Sequence, residues 1–487
     1  MDFQEIVTFT KKHKIIIIIF IIALVLRLIF VYSMPVKIWD ETIYSNLGYH
    51  LSQNILDYSF KNTGWSDFVP SGGNLIYNWP NAGFRAPLLP YILSLFYFLK
   101  ISFLIEFIMP FIGALSVILI FILGKKLFNE KIALISSLFF ALIPLHTYYS
   151  GKILTDVFSV FFILLTILFF WKGFEENSNY FKLLFGILFA FSLLARYSSL
   201  WFIPIFFFYL LLTRKNLLFL KDKYLWFSIT LFFIILAPFF IYSFFTYNNF
   251  LGALIHASKA SIYWGGSSSW YFYFKYWLNM FSIIGIVFLF SLIYIFYKKD
   301  FLKKPILFVI LWFLIFLIMA LMTQHKEDRY IMSIVPSICL ISSYGLSKLD
   351  YKFNNKLYLI IIFILIFSNF FLFYNIYTTY NNTNSFCFKE TVRYINHLNE
   401  SVLMVTENPP ITFYYTHQES SYYPTTINIT TLNEIKNSSN KRVLFVFNKL
   451  NSGLENEKYG DLKELLQQNY NLIFNCTIDS ENNFIYS

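Results

Sequence analysis

The sequence predicts a polytopic α-helical membrane protein with about eleven spans and a small C-terminal α/β domain. Three observations carry this. Hydrophobic residues make up 57% of the 487 and charged residues only 13%, against roughly a quarter in soluble domains. Apolar runs near the membrane-spanning length of about 20 residues recur along the first three quarters of the chain. After position 375 the composition turns abruptly to Asn, Thr, Ser, Glu and Lys. The net charge of +11 belongs mostly to short loops between apolar runs, where basic residues set orientation and meet anionic head groups; it is no nucleic-acid signature.

The spans read as about 14–33, 104–124, 131–148, 156–171, 181–195, 198–213, 224–246, 277–297, 305–323, 330–348 and 357–375. The first keeps a basic flank, Lys11, Lys12 and Lys14, and reads as a retained span rather than a cleaved leader. Loops 125–130, 172–180, 214–223, 298–304 and 349–356 then share a side with the N-terminus. That side holds 19 of the 30 basic residues before position 376, so it is expected to be cytoplasmic, and the C-terminal domain extracytoplasmic. The stretch Pro87–Leu99 is 13 residues long, opens with two prolines and is short for a crossing. It reads as an interfacial helix. This makes 1–375 a transmembrane domain with a long external loop, 33–103, and 376–487 the external domain. The loop carries an amphipathic stretch marked by Ile43, Leu47, Leu51 and Ile55.

In the tail, 402–406, 443–448 and 472–475 read as strands, and 390–398 and 461–468 as helices. All five Asn-x-Ser/Thr triplets lie there, at Asn381, Asn399, Asn428, Asn437 and Asn475, which suits an external location. Of three cysteines, Cys387 and Cys476 share this region; one disulfide is allowed and none is required.

Charge at the expected outer boundaries is the functional signal. Trp39-Asp40-Glu41 follows the first span, and Asp156, Arg196 and His325-Lys326-Glu327-Asp328-Arg329 fall on the same side. Ionisable groups at a membrane face are costly unless they act.

The residues also carry a resemblance. A long first external loop opening with Asp40-Glu41 resembles that of membrane-embedded glycosyltransferases using a polyprenyl-phosphate sugar donor. Gly83-Phe84-Arg85-Ala86-Pro87-Leu88-Leu89-Pro90-Tyr91 is similar to a segment of their protein mannosyltransferase and lipid A aminoarabinose transferase branches (glycosyltransferase family 39 type). Ile143-Pro144-Leu145-His146-Thr147-Tyr148-Tyr149-Ser150 with Thr155-Asp156 resembles their third span and second acidic loop. His325-Lys326-Glu327-Asp328-Arg329-Tyr330, followed by Pro336, resembles their late basic motif. The order and common sidedness of these segments cover roughly 14–350. No Trp-Trp-Asp-type signature stands in the tail, which argues against the oligosaccharyltransferase branch. The resemblance implies a GT-C fold, a polyprenyl-phosphate (dolichyl or undecaprenyl) sugar donor and an acceptor that is a protein, glycan or lipid.

The chemistry sorts the candidates. An inverting transfer needs a carboxylate to take the acceptor proton and positive charge at the departing phosphate. Asp40 is the expected base, with Glu41 orienting it or the acceptor; the competing role is a cap and first-turn acid on a helix starting near Thr42. Asp156 would order the basic groups or, with Asp40, ligate a cation; it could equally cap the helix it opens. Two hard carboxylates allow Mg²⁺ or Mn²⁺, but no Asp-x-Asp doublet asks for one, so no cofactor is required. Arg85 is the leading phosphate ligand, because guanidinium matches phosphate oxygens and keeps its charge. The competing role for Arg85 is an interfacial anchor; Lys326 and Arg329 read as phosphate ligands or as a solvated turn with internal Glu–Arg pairing, His325 as a member of the same site or as a structural or surface histidine, and Arg196, in a tight external turn, as a further phosphate ligand. Arg27, inside the first span, reads either as a residue that snorkels outward to the site or as a plain interfacial one. The loop Tyr263-Trp264-Gly265-Gly266-Ser267-Ser268-Ser269-Trp270 reads as a sugar platform or an aromatic belt. A lipid-linked-sugar flippase or other transporter is the rival class; it predicts mid-span charges and matched broken helices.

Overall fold

A computed structural model describes residues 14–33, 36–37, 39–63, 82–214, 217–263, 268–348, 351–381, 385–398, 400–424, 427–447, 456–478 and 481–487. Its helices are, in order, α1 (Lys14–Val31), α2 (Asp40–Gln53), α3 (Leu88–Phe98), α4 (Ile105–Leu127), α5 (Glu130–Leu142), α6 (Pro144–Tyr149), α7 (Thr155–Phe170), α8 (Asn179–Ala195), α9 (Phe202–Arg214) and α10 (Lys223–Tyr247). There follow α11 (Gly252–Tyr263), α12 (Phe272–Lys275), α13 (Trp277–Tyr297), α14 (Lys304–Met322), α15 (Val335–Leu346), α16 (Tyr351–Asn381), α17 (Ser385–His397), α18 (Pro409–Thr416), α19 (Ile429–Ser438) and α20 (Asn456–Asn469). Five strands, β1 (Val402–Thr406), β2 (Glu419–Tyr422), β3 (Arg442–Phe447), β4 (Leu472–Ile478) and β5 (Glu481–Tyr486), lie in the tail. The chain divides into two compact units. One comprises Met1–Ser33, Phe84–Leu89 and Phe103–Tyr374; the other comprises Met34–Gly83, Pro90–Ser102 and Asn375–Ser487.

Among the described residues nine helices are long and apolar enough to cross a membrane. They account for nine of the expected spans; the other two are α8, only 17 residues long, and the 131–148 segment. The latter breaks between α5 and α6 because Pro144 cannot donate to Phe140 O. At a break inside the membrane, freed carbonyls need other donors. Arg27 of α1 supplies them, with Nη2 to Phe140 O at 3.2 Å and Nη1 to Ala141 O at 3.1 Å. Asn369 of α16 donates Nδ2 to Leu142 O at 2.7 Å. Arg27 is fully buried and also meets His146 Nδ1 at 3.0 Å, so it does not snorkel. Gly113 leaves room for it: a Cβ there would lie 2.9 Å from Arg27 Nε.

The long helices of the first unit turn apolar residues both inward and outward. On α1, Ile16, Ile19, Ala23 and Phe30 are buried while Ile15, Ile18, Ile22 and Val25 are exposed, as a lipid-facing helix requires. Three basic loops gather at one end. Glu175 pairs with Arg214 at 3.3 Å and Lys304 at 2.8 Å, and Lys182 pairs with Asp222 at 2.7 Å. This multi-pass architecture places loops 172–180, 214–223 and 298–304 on a common side, as the alternation expects. Helix α3 has 11 residues, too few to cross.

The second unit holds a sheet of order β2-β1-β3-β5-β4. Strand β1 pairs in parallel with β2 and β3, while β5 is antiparallel to β3 and β4. Val405, Phe445 and Phe447 face Leu432 and Leu462 on one side; Met404, Leu444 and Ile485 face Ile395 on the other. Cys387 of α17 and Cys476 of β4 form a disulfide across a Cα separation of 5.5 Å. Helix α2 belongs here. Its Ile43, Leu47 and Leu51 are buried as the four-residue spacing expects, and Ile55 falls beyond its end, exposed. A Cβ on Gly48 would sit 2.7 Å from Leu93 Cβ, so glycine is what lets α2 and α3 close.

Candidate functional site

In the first unit, α7 opens with Thr155 and Asp156, yet neither side chain caps it. Asp156, 1% exposed, instead takes an ion pair from Arg196 Nη1, which also reaches Thr155 Oγ1 at 3.5 Å. Arg196 is extended at the end of α8, where the chain leaves the helix for the short turn Tyr197–Trp201, and this aims its guanidinium back at α7. The guanidinium also stacks over the Tyr330 ring at 5.6 Å.

Tyr330 carries the network into the 323–330 segment. Its hydroxyl donates to Glu327 Oε1 at 3.0 Å. Glu327 also accepts a forked pair from Arg329, Nε at 2.6 Å and Nη2 at 3.1 Å, and lies 3.2 Å from His325 Nε2. Asp328 accepts from Tyr149 at 2.6 Å and from the Arg329 amide at 2.8 Å. Lys326 is buried and donates Nζ to Thr323 O at 2.6 Å. The end of the aromatic loop fastens to the same segment, Ser268 Oγ accepting from the Lys326 amide at 3.0 Å; residues 264–267 of that loop lie outside the described residues. Arg85 joins through its backbone, where Tyr197 donates to Arg85 O at 3.0 Å, and its guanidinium lies 5.3 Å from the Phe84 ring.

The first unit thus brings Asp156, Arg196, His325, Lys326, Arg329 and the Arg85 backbone into one connected set. Glu327 pairs with Arg329 and His325, the internal pairing expected of this turn, but the turn is half-buried rather than solvated. Arginine has five N–H donors, and Arg196 directs Nη1 alone at Asp156 and Thr155. Such a set suits a dianionic oxygen group better than a bare carboxylate site would. Tyr149 and Tyr330 are members of this set that charge-counting overlooks; the signal for them is an aromatic hydroxyl one residue from each charged or hydroxylated turn.

The acid pair stands in the second unit. Helix α2 begins at Asp40, two residues earlier than expected. The cap position falls to Trp39 at φ 43°, whose side chain accepts nothing. Asp40 therefore does not cap α2; both acids sit in its first turn, where the helix dipole favours negative charge. Glu41 is buried. A positive φ on a bulky aromatic residue is strained, and such strain collects at functional turns. Helix α2 is fixed against α18 by Asn46 Nδ2 to Pro410 O at 2.8 Å and by Tyr49 stacked on His417 at 4.2 Å. The preceding Lys37 amide donates to Tyr415 Oη at 2.7 Å. Among the described residues, no group of three or more His, Cys, Asp or Glu could hold a metal ion.

Residues 84–242 match the family model of dolichyl-phosphate-mannose-protein mannosyltransferases, a stretch containing Arg85, Asp156 and Arg196. A comparison with curated protein sequences finds no match. Among solved structures, the chain is similar to ArnT from Cupriavidus metallidurans bound to undecaprenyl phosphate. The TM-score is 0.70 at 10% identity over 97% of this chain and 98% of that one. It is also similar to the Archaeoglobus fulgidus oligosaccharyltransferase tethered with an acceptor peptide containing the NVT sequon (TM-score 0.66, 13% identity, 99% of this chain and 74% of that one). A third likeness is to the archaeal oligosaccharyltransferase AglB from Archaeoglobus fulgidus in complex with an inhibitory peptide and a dolichol-phosphate (TM-score 0.64, 13% identity, 98% and 75%). These likenesses show a shared GT-C fold.

Proposed function

We propose that this chain is an integral membrane glycosyltransferase that moves a sugar from a polyprenyl monophosphate to an acceptor hydroxyl at the outer face. The observation that carries the reading is the connected set Asp156–Arg196–Tyr330–Glu327–Arg329 in a chain of GT-C fold whose residues 84–242 match a mannosyltransferase family model. An apolar carrier explains why the reaction centre belongs to a membrane protein at all.

The acceptor oxygen attacks the anomeric carbon, and the bond from that carbon to phosphate oxygen breaks. The phosphate leaves with the electron pair, and the acceptor proton passes to a carboxylate. Asp156 is a poor base because Arg196 already holds it, and Glu327 is taken by Arg329. Asp40, in the first turn of α2, is the base of this reading, with Glu41 orienting it. Arg85, Arg196, Lys326 and Arg329 neutralise the departing phosphate, and His325 keeps Glu327 in place. Arginine at these positions gives planar, permanent charge. The carrier is a dolichyl or undecaprenyl phosphate; the acceptor is a protein, glycan or lipid; Mg²⁺ or Mn²⁺ is compatible with this reading and not required by it. The N-terminus is cytoplasmic and the tail external, a reading supported by the basic loops and by the Cys387–Cys476 disulfide, which suits an oxidising compartment.

The test uses the full chain in lipid nanodiscs with radiolabelled polyprenyl-phosphate mannose and polyprenyl-phosphate glucose. Release of free polyprenyl phosphate is expected from the parent. Asp40→Asn is expected to lower it by about 10²–10⁴-fold while the lipid still binds. Retained turnover in Asp40→Asn removes Asp40 from the role. Transbilayer movement of intact donor without bond cleavage replaces the reading with a flippase.

A further inference from the structure

In the second unit β1 ends at Thr406, and the chain turns through Glu407 and Asn408 into α18. Strand β1 lies between β2 and β3 and parallel to both, and ligands gather at the carboxyl ends of such strands. Glu407 is 8% exposed, and both its carboxyl oxygens are buried without a hydrogen-bond partner.

A carboxylate before a helix is usually received by first-turn N–H groups. Here Pro409 and Pro410 fill the first two positions and have none. The next two amides, of Ile411 and Thr412, both donate to Asn408 O, at 3.1 and 3.0 Å. Glu407 is therefore no cap. Across the same turn, Asn46 of α2 gives its Nδ2 to Pro410 O at 2.8 Å, which fixes the amide's orientation. Its Oδ1 is also buried with no donor, in a residue 2% exposed. Two oxygens of Glu407 and one of Asn46 thus stand buried about one proline turn without a hydrogen-bond partner, and buried polar groups in proteins usually have one.

We propose that this turn, Glu407 with Asn46, is the acceptor-recognition site of the chain, and that it takes a hydroxyl-rich glycan. The proposal rests on the transferase reading above and names its acceptor class. Adjacent sugar hydroxyls each give and take, so a neighbouring pair meets both oxygens of one carboxyl. A trans peptide points its N–H and C=O in opposite directions, so one peptide unit meets only one of those oxygens. Burial alone pushes the Glu407 carboxyl up to about 9, so near neutral pH it is an uncharged acid that gives and takes one hydrogen bond, as a hydroxyl does. An ammonium would require the ionised form that burial disfavours.

The test is saturation-transfer NMR on the full chain in nanodiscs, with methyl α-mannoside, methyl β-galactoside and maltotriose as glycan probes. N-acetyl-Ser-Thr-amide and ethylamine are the contrasts. Glycosides are expected to bind the parent and Glu407→Gln within about threefold of each other, and Glu407→Leu at least about tenfold more weakly. The parent's thermal midpoint is expected to rise with glycoside and not with peptide or amine, a readout that needs no variant. Glycoside binding by Glu407→Leu within twofold of the parent (a factor the measurement itself reads, about 0.4 kcal/mol by RT ln 2) overturns the proposal, as does stronger competition by the peptide or the amine. Release of polyprenyl phosphate is read in the same preparations. Donor turnover without glycoside binding sinks this site alone; glycoside binding lost in Glu407→Leu, without donor turnover in the parent, sinks the transferase reading and leaves a glycan site.

Discussion

Asp156 is almost wholly buried and Arg196 about one-fifth exposed, so their ion pair has paid a desolvation cost that only both partners together offset. Removing one leaves a buried charge alone. Asp156→Asn or Arg196→Met is expected to destabilise the chain by roughly 3 kcal/mol, seen as a lower thermal midpoint in nanodiscs. The double variant Asp156→Leu with Arg196→Met is expected to regain most of the midpoint and none of the turnover. Recovery of turnover would make the pair structural only. Glu407 adds a pH signature with a definite sign. Its folded pKa, about 9, lies above that of a free glutamate, so the folded state holds a proton that the unfolded state gives up. The ionisation penalty is absent at low pH and grows as pH rises from about 4.5 towards 9, at most about 1.4 kcal/mol per pH unit. The parent's midpoint is expected to fall over this range more steeply than that of Glu407→Gln; parallel slopes would show that Glu407 ionises freely. At this scale the sequence is legible wherever charge meets a span boundary, as at Asp156, Arg196 and Arg329. Glu407 was not legible, because a polar tail hides one buried acid among many solvated ones, and only the two prolines beside it hint that its usual partners are missing.

Among the elements, periodicity identifies long helices well and short ones poorly. Helix α2 shows in the spacing of Ile43, Leu47 and Leu51, but it starts at Asp40 because Trp39, not an acid, turns the chain. The 131–148 run reads as one span because Pro144 interrupts hydrogen bonding without interrupting hydrophobicity. Strands β1, β3 and β4 are visible as apolar runs. Strand β2, Glu-Ser-Ser-Tyr, and the polar start of β5 are not, since an edge position and a disulfide-tethered ladder demand little hydrophobicity. Helix α18 hides behind Pro409-Pro410, which read as a breaker but serve as a helix start. The disulfide joins α17 to β4 across a sequence separation of 89 residues. Cys387→Ser with Cys476→Ser is expected to cost the second unit about 2–4 kcal/mol, read as earlier unfolding of tail tryptic sites with the first unit's midpoint unchanged. An unaltered proteolysis profile would mean that the bridge does not restrain the native sheet.

For the whole molecule, the distribution of charge was the most legible property. The lysine distribution groups loops 172–180, 214–223 and 298–304 on one side, and Glu175 joins all three through Arg214 and Lys304. A count of charges cannot divide the chain into units, however. The segment after the first span folds with the tail, through Asn46 to Pro410 and Asn62 O to the Ser420 amide at 3.0 Å, and pairing between residues some 360 positions apart leaves no trace in local pattern. The orientation is open to a direct check. Alkaline phosphatase fused after Ser487 is expected to be active, and the same enzyme fused after Lys299 inactive; the opposite result reverses the sidedness and moves the reaction to the cytoplasmic face.

Arg27 has a consequence for how this protein is made. The first helix enters the bilayer carrying a cation that finds only Ala23 O within its own helix; its other carbonyl acceptors, of Phe140 and Ala141, lie 113 and 114 residues further along and do not yet exist. Until α5 is synthesised, that guanidinium must be lodged at the translocon or drawn to a head group. The N-terminal anchor therefore becomes a settled membrane helix only after later helices arrive, and nascent chains cut short before the Pro144 break would leave their first helix poorly retained.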